Sequence, residues 1–151
     1  MRIWIAVASI LPFALAAEAS ISRHAPEEAV KAAYAADMSS IQGKGAGVMG
    51  DPTARAHFFT RSLARAIDGA EQAAGEPFTD QAPHLVDLSV AEVSESGPKA
   101  NVVAEFARGD GARERLTYAL VLEHGEWRID DINYAYLDGE EHTLRGALAG
   151  K

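Results

Sequence analysis

The stretch RERLTYALVLEHGEWRIDDINY, Arg113 to Tyr134, decides how this chain folds. Leu116, Tyr118, Leu120 and Leu122 recur at every second position. That period puts apolar side chains on one face of a β-strand and polar ones on the other. The first strand reads as Arg115 to Glu123. The break His124-Gly125-Glu126 follows, and Trp127 to Tyr134 forms the second. Two alternating runs around a short glycine-containing turn are the signature of a β-hairpin.

Two more strands read out upstream. Ala100 to Arg108 places Val102, Ala104 and Phe106 on one face. Leu85 to Ser94 places Val86, Leu88 and Val90 on one face, but Val93 falls on the other parity. A β-bulge near Ala91-Glu92 restores the pattern. Turns are expected at Ser96-Gly97-Pro98-Lys99 and Gly109-Asp110-Gly111. Four sequential strands with short turns make an antiparallel meander.

The segment before the strands reads as helical. Pro26 suits a first helical turn, and Glu27 and Glu28 suit its dipole. Val30, Tyr34 and Met38 then recur every fourth residue, with Ala33 and Ile41 widening the stripe. A second helix is expected from Asp51, a good N-cap, to Ala74. Its stripe is Phe59, Leu63, Ala66, Ile67, Ala70 and Ala74, with Arg55, Arg61 and Arg65 on a solvated face. Arg65 and Asp68 stand three apart, near enough to pair. Between the helices, Gly45-Ala46-Gly47-Val48-Met49-Gly50 matches the letters of a dinucleotide fingerprint. That motif needs a strand before it; here a helix precedes, so a flexible connector is expected. Glu76 to His84 is a loop. After Tyr134, Thr143 to Leu148 forms one helical turn holding Leu144 and Leu148 against the sheet. The expected fold class is α+β: two N-terminal helices packed on a four-stranded antiparallel meander.

Residues 1–19 read as a secretory signal peptide, with residues 20–151 as a single α+β domain. Arg2 is a short positive start, and Ile3 to Ala17 is an apolar run of about fifteen residues, short of the roughly 20 that span a bilayer. Ala14-Leu15-Ala16 and Ala17-Glu18-Ala19 are small-x-small cleavage sites. A periplasmic or secreted protein follows, with no stable membrane insertion after cleavage. The net charge is −8. It repels phosphate backbones, so nucleic acid is not an expected partner. The chain has no cysteine, which excludes disulfides, thiolate metal sites and a cysteine nucleophile.

No two of the five histidines share a metal-ligand spacing, and no G-x-S-x-G elbow is present. No metal, no cofactor and no catalytic residue is therefore assigned. The candidate ligand-binding residues are Tyr34, Asp131 and Arg145. Tyr34 lies on the apolar helical stripe, as a core residue or a pocket hydroxyl. Simple alternation gives Asp131 the parity of Trp127 and Ile129, hence the core side, where a carboxylate must be paired, hydrogen-bonded or protonated. Its partner is then Arg145 or Arg115, or a ligand, unless a bulge turns it to solvent. The expected pairing is with Arg145. Ile132 breaks the parity, which points to an irregularity there.

Trp127-Arg128-Ile129-Asp130-Asp131-Ile132, followed by Thr143-Leu144-Arg145 and Leu148, resembles the C-terminal signature of a bacterial family known as domain of unknown function 3828. The similarity runs from about Pro26 to Leu148. That family is similar to the nuclear transport factor 2-like superfamily. The resemblance implies a curved sheet wrapped over helices, forming a cone with a pocket. It implies no particular activity, because superfamily relatives include isomerases, dehydratases, cyclases and binding modules. The expected function is a non-enzymatic module that binds a small molecule or a protein partner. The alternatives are an isomerase or dehydratase, with Asp131 as acid/base and Tyr34 as a pocket hydroxyl, and an immunity-like or inhibitor protein.

Overall fold

The computed structural model describes residues 24–45, 47–70, 85–135 and 141–150. The expected signal peptide, the loop Glu76 to His84 and the end of the second helix at Ala74 lie outside the described residues. Within them the architecture is α+β, with helices and an open five-stranded antiparallel sheet.

The sheet comprises β1 (Leu85–Ser96), β2 (Lys99–Arg108), β3 (Arg113–Glu123), β4 (Glu126–Ala135) and β5 (Glu141–Thr143), in that spatial order. The β3–β4 turn has two residues, His124 at φ +53° and Gly125 at φ +80°. Positive φ at both positions matches the right-handed twist of the flanking strands, which selects this tight hairpin. Three rows of paired side chains build the buried face: Ala104–Leu116–Tyr134, Val102–Tyr118–Ile132 and Ala100–Leu120–Ile129. Trp127, opposite Leu122, closes that face at the turn end. The row Val103–Thr117–Asn133 on the opposite face stays half-buried. The bulge expected in β1 is present between Val90 and Glu92, and a second register shift lies between Val86 and Ser89.

The fifth strand was not expected from the sequence. Glu141–Thr143 is too short and polar to alternate, but it completes the edge of β4 through Asn133, Tyr134 and Ala135. The expected helical turn follows as α5 (Leu144–Ala149), with Thr143 as its N-cap accepting the Gly146 N–H at 2.9 Å.

Among the described residues, four helices precede the sheet: α1 (Pro26–Ile41), α2 (Gly47–Gly50), α3 (Pro52–Phe58) and α4 (Arg61–Gly69). The expected second helix is therefore broken. Phe59 is extended and bridges Ile129 of β4, and the Thr60 N–H donates to the Ile129 carbonyl at 2.9 Å. Thr60 then caps α4 by accepting the Leu63 N–H. Backbone pairing with β4 replaces two residues of helix, yet Phe59, Leu63 and Ile67 still enter one core. The glycine-rich connector is not a linker throughout. Gly47–Gly50 winds into α2 and buries Val48.

The buried stripe of α1 is Pro26, Val30, Ala33 and Asp37: the expected Val30 and Ala33 are in it, and the expected Tyr34 and Met38 are only half-buried. Ile41 is exposed. The helix is rotated so that the Asp37 carboxylate, 2% exposed, accepts the Val48 N–H at 2.7 Å and holds α2 against α1. Arg55 also departs from the expected solvated face. It is buried, with Nε 2.9 Å from Asp68 Oδ1, so Asp68 pairs with Arg55 rather than Arg65.

Candidate functional site

A cleft of about 340 Å³ opens where the start of α1, the end of α3 and the start of β4 meet. The side chains of Ala25, the N-cap of α1, and of Ala29 and Ala32 within the helix are too small to fill it. Its apolar lining is completed by Phe58 and Trp127, the indole being 6% exposed. The rim carries His24, Glu28, His57, Glu126 and Arg128. The His57 and Phe58 rings meet edge-on, with centroids 4.7 Å apart. Glu28 Oε1 lies 2.8 Å from Lys31 Nζ, and Arg128 bridges Glu126 Oε2 and the His57 carbonyl. Two carboxylates thus stand at the mouth, each with a cation beside it.

The hairpin turn and the helix break set this geometry. Register across the turn puts Glu126, Trp127 and Arg128 at the first three positions of β4. The extended Phe59 stops α3 at Phe58 and leaves His57 beside Arg128. A second depression, of about 240 Å³, lies over the end of β1, the start of β2, the Ala119–Val121 part of β3 and Asp130, and has no aromatic lining.

None of Tyr34, Asp131 and Arg145 lines the cleft. Tyr34 is half-buried against Phe106, with ring centroids 5.5 Å apart. Burial, and then the charge of Asp87, push its hydroxyl above the usual tyrosine pKa. Asp131 and Arg145 do meet, but not as an ion pair of side chains. Asp131 Oδ1 accepts the backbone N–H groups of Arg145 and Ile132, each at 2.9 Å. The guanidinium goes to Asp130. Arg145 Nη2 reaches Asp130 Oδ1 at 2.5 Å, and Nε donates to the Asp130 carbonyl at 2.7 Å. Thr60 Oγ1 donates to the same carboxylate at 2.8 Å.

The reason is the position of the irregularity. Leu120 pairs with Ile129 and Ala119 with Asp131, so Asp130 is the extra residue. The bulge sends Asp131 to the face opposite Ile129 and lets Ile129 and Ile132 both point into the core. The expected inward Asp131 is thereby corrected.

Charged hydrogen bonds contribute roughly 1.5 to 3 kcal/mol. The Asp130–Arg145 pair is about one-third exposed, which discounts that range toward its lower end. Arg145→Met should therefore cost about 2 kcal/mol by urea denaturation. In double-mutant cycles it should couple to Asp130→Asn by about 1 kcal/mol and be near-additive with Asp131→Asn. The reverse pattern would return the guanidinium to Asp131.

Sequence reasoning missed the buried carboxylate of Asp37, whose charge acts on the Tyr118 hydroxyl. Tyr118 is fully buried, and burial first, then Tyr134, Asp37 and Tyr34, push its hydroxyl well above the usual tyrosine pKa. The available signal was Asp37 itself, which falls seven residues after Val30 and four after Ala33, in register with the stripe.

Among the described residues, no three histidine or acidic side chains cluster closely enough to hold a metal ion. No helix among them is long and apolar enough to cross a membrane. No protein-family model, curated protein or solved structure shows significant similarity to the chain.

Proposed function

We propose that this chain is an exported, non-enzymatic module that holds a small molecule in the Trp127 cleft. The cleft carries the reading. At about 340 Å³ it falls in the range of small-molecule sites, roughly 300 to 1,000 Å³, which combine an apolar lining with a few polar groups. Its carboxylates are exposed and paired with cations, an arrangement suited to recognition. A protein inhibitor would need a broad exposed patch instead. Asp131, the acid/base of the enzymatic alternative, accepts the backbone N–H groups of Arg145 in α5 and Ile132 in β4 and is outside the cleft.

The proposal includes kinship with the domain of unknown function 3828 family and the cone of the nuclear transport factor 2-like superfamily. Support comes from the order of helices before meander, the Trp127–Ile132 motif in β4, and α5 beside it. Export to the periplasm or medium rests on the signal-like residues 1–19.

One preparation tests the reading. Protein recovered from the exporting compartment should have lost residues 1–16 or 1–19 by intact mass. That removes Trp4 and leaves Trp127 as the sole tryptophan. Its emission should then change saturably with 2-phenylethanol, a neutral aromatic probe. Ala32→Phe fills the cleft from an exposed helical position, so it should abolish the response while keeping the melting temperature. A full-length membrane-bound product would refute export, and a linear, unsaturable response would refute the cleft.

A further inference from the structure

We propose that the cleft takes a small organic cation: an ammonium-bearing molecule with an apolar or aromatic body. This rests on the preceding reading of the cleft as a small-molecule site and adds the class of ligand.

The polar groups at the mouth are asymmetric. Glu28 uses Oε1 for Lys31, and Glu126 uses Oε2 for Arg128. An ionised carboxylate offers about four acceptor positions, so each retains acceptor capacity toward the cleft. Both side chains are about half exposed, at 55% and 47%. The cations are less accessible to a ligand. Lys31 does not line the cleft. The Arg128 side chain is 19% exposed and is held by Glu126 and the His57 carbonyl. An incoming carboxylate or phosphate would have to displace Glu126 and then face Glu28.

The rest of the site agrees. Trp127 and Phe58 supply aromatic rings, whose faces attract ammonium groups. Ala29 and Ala32 leave room for an apolar body. A protein of net charge −8 raises the local concentration of cations around it. The start of α1, at Ala25, opposes this with a partial positive charge of about +0.5. Glu27 and Glu28 in the first turn outweigh it.

The test compares three probes of similar shape on the exported protein at low ionic strength and one fixed pH, read by Trp127 emission. They are 2-phenylethylammonium, 2-phenylethanol and phenylacetate. The ammonium should bind about ten-fold tighter than the alcohol, and phenylacetate most weakly. Glu28→Gln and Glu126→Gln should each weaken the ammonium about two- to five-fold and so narrow its preference over the alcohol. Added salt at about 0.5 M should narrow the gap between ammonium and alcohol. Equal affinities, or phenylacetate binding tightest, would overturn the cation assignment while leaving the small-molecule reading intact. Failure of all three probes to saturate would overturn both.

Discussion

Trp127→Ala should lower the unfolding free energy by about 3 to 5 kcal/mol, the loss typical of deleting a large buried aromatic ring. The indole is 6% exposed and belongs to the core that contains Phe59, Leu63 and Ile129. It sits opposite Leu122, two residues before the carbonyl of Ile129 that accepts the Thr60 N–H. Its removal opens a cavity at the point where α3 gives way to the extended Phe59-Thr60. The backbone there is pinned by the bridge to β4, so little collapse can offset the loss. Circular dichroism in urea reads the result without needing the tryptophan. An unfolding free energy within about 0.5 kcal/mol of the parent would show that the indole contributes little to the core.

The second large effect separates two glycines in one connector. Gly47 has φ +69°, and a Cβ built on it would stand 3.0 Å from Asp37 Oδ1 and 3.1 Å from Ser40 Cβ. Gly43 has nearly the same φ, +73°, with nothing within 4 Å of its Cβ. Gly43→Ala should therefore cost only the left-handed backbone penalty, about 1 kcal/mol. Gly47→Ala adds overpacking against a carboxylate already held by the Val48 N–H, and should cost about 3 kcal/mol in all. Equal losses at the two positions would mean that Asp37 moves freely and does not clamp α2 to α1.

Several functional elements could not be read from local pattern. The cleft depends on three segments distant in sequence: the start of α1, the end of α3 and the start of β4. Trp127 was legible as a core residue from its parity with Ile129. Its position on a cleft wall was not, because that needs the break at Phe59. Arg55 reads as solvated from sequence because it is assigned to the side of the expected helix away from the Phe59, Leu63 and Ile67 stripe. Its burial follows from packing in which Asp68, on the next helix, supplies the opposite charge. Helical spacing points to Tyr34, strand parity to Asp131 and charge complementarity to Arg145, and the structure gives them contacts away from the cleft.

The sequence by itself determined β2, β3 and β4, the tight turn between the last two, and the apolar face they share. Alternation with period two is a property of each strand alone, and positive φ at His124-Gly125 is a local backbone choice. Asp51 was likewise identifiable as the cap of α3, since its carboxylate serves an N–H only two residues away. Tertiary structure decided where the parity error in β4 falls. Ile129 and Ile132 require one extra residue between them, but either aspartate satisfies that requirement equally well. Asp130 becomes the extra one in a setting where Thr60 and Arg145, from the α3–α4 junction and α5, bond its carboxylate. Asp131 is left to the backbone of α5. Those partners lie 70 and 15 residues away in the chain, beyond the reach of any local periodicity.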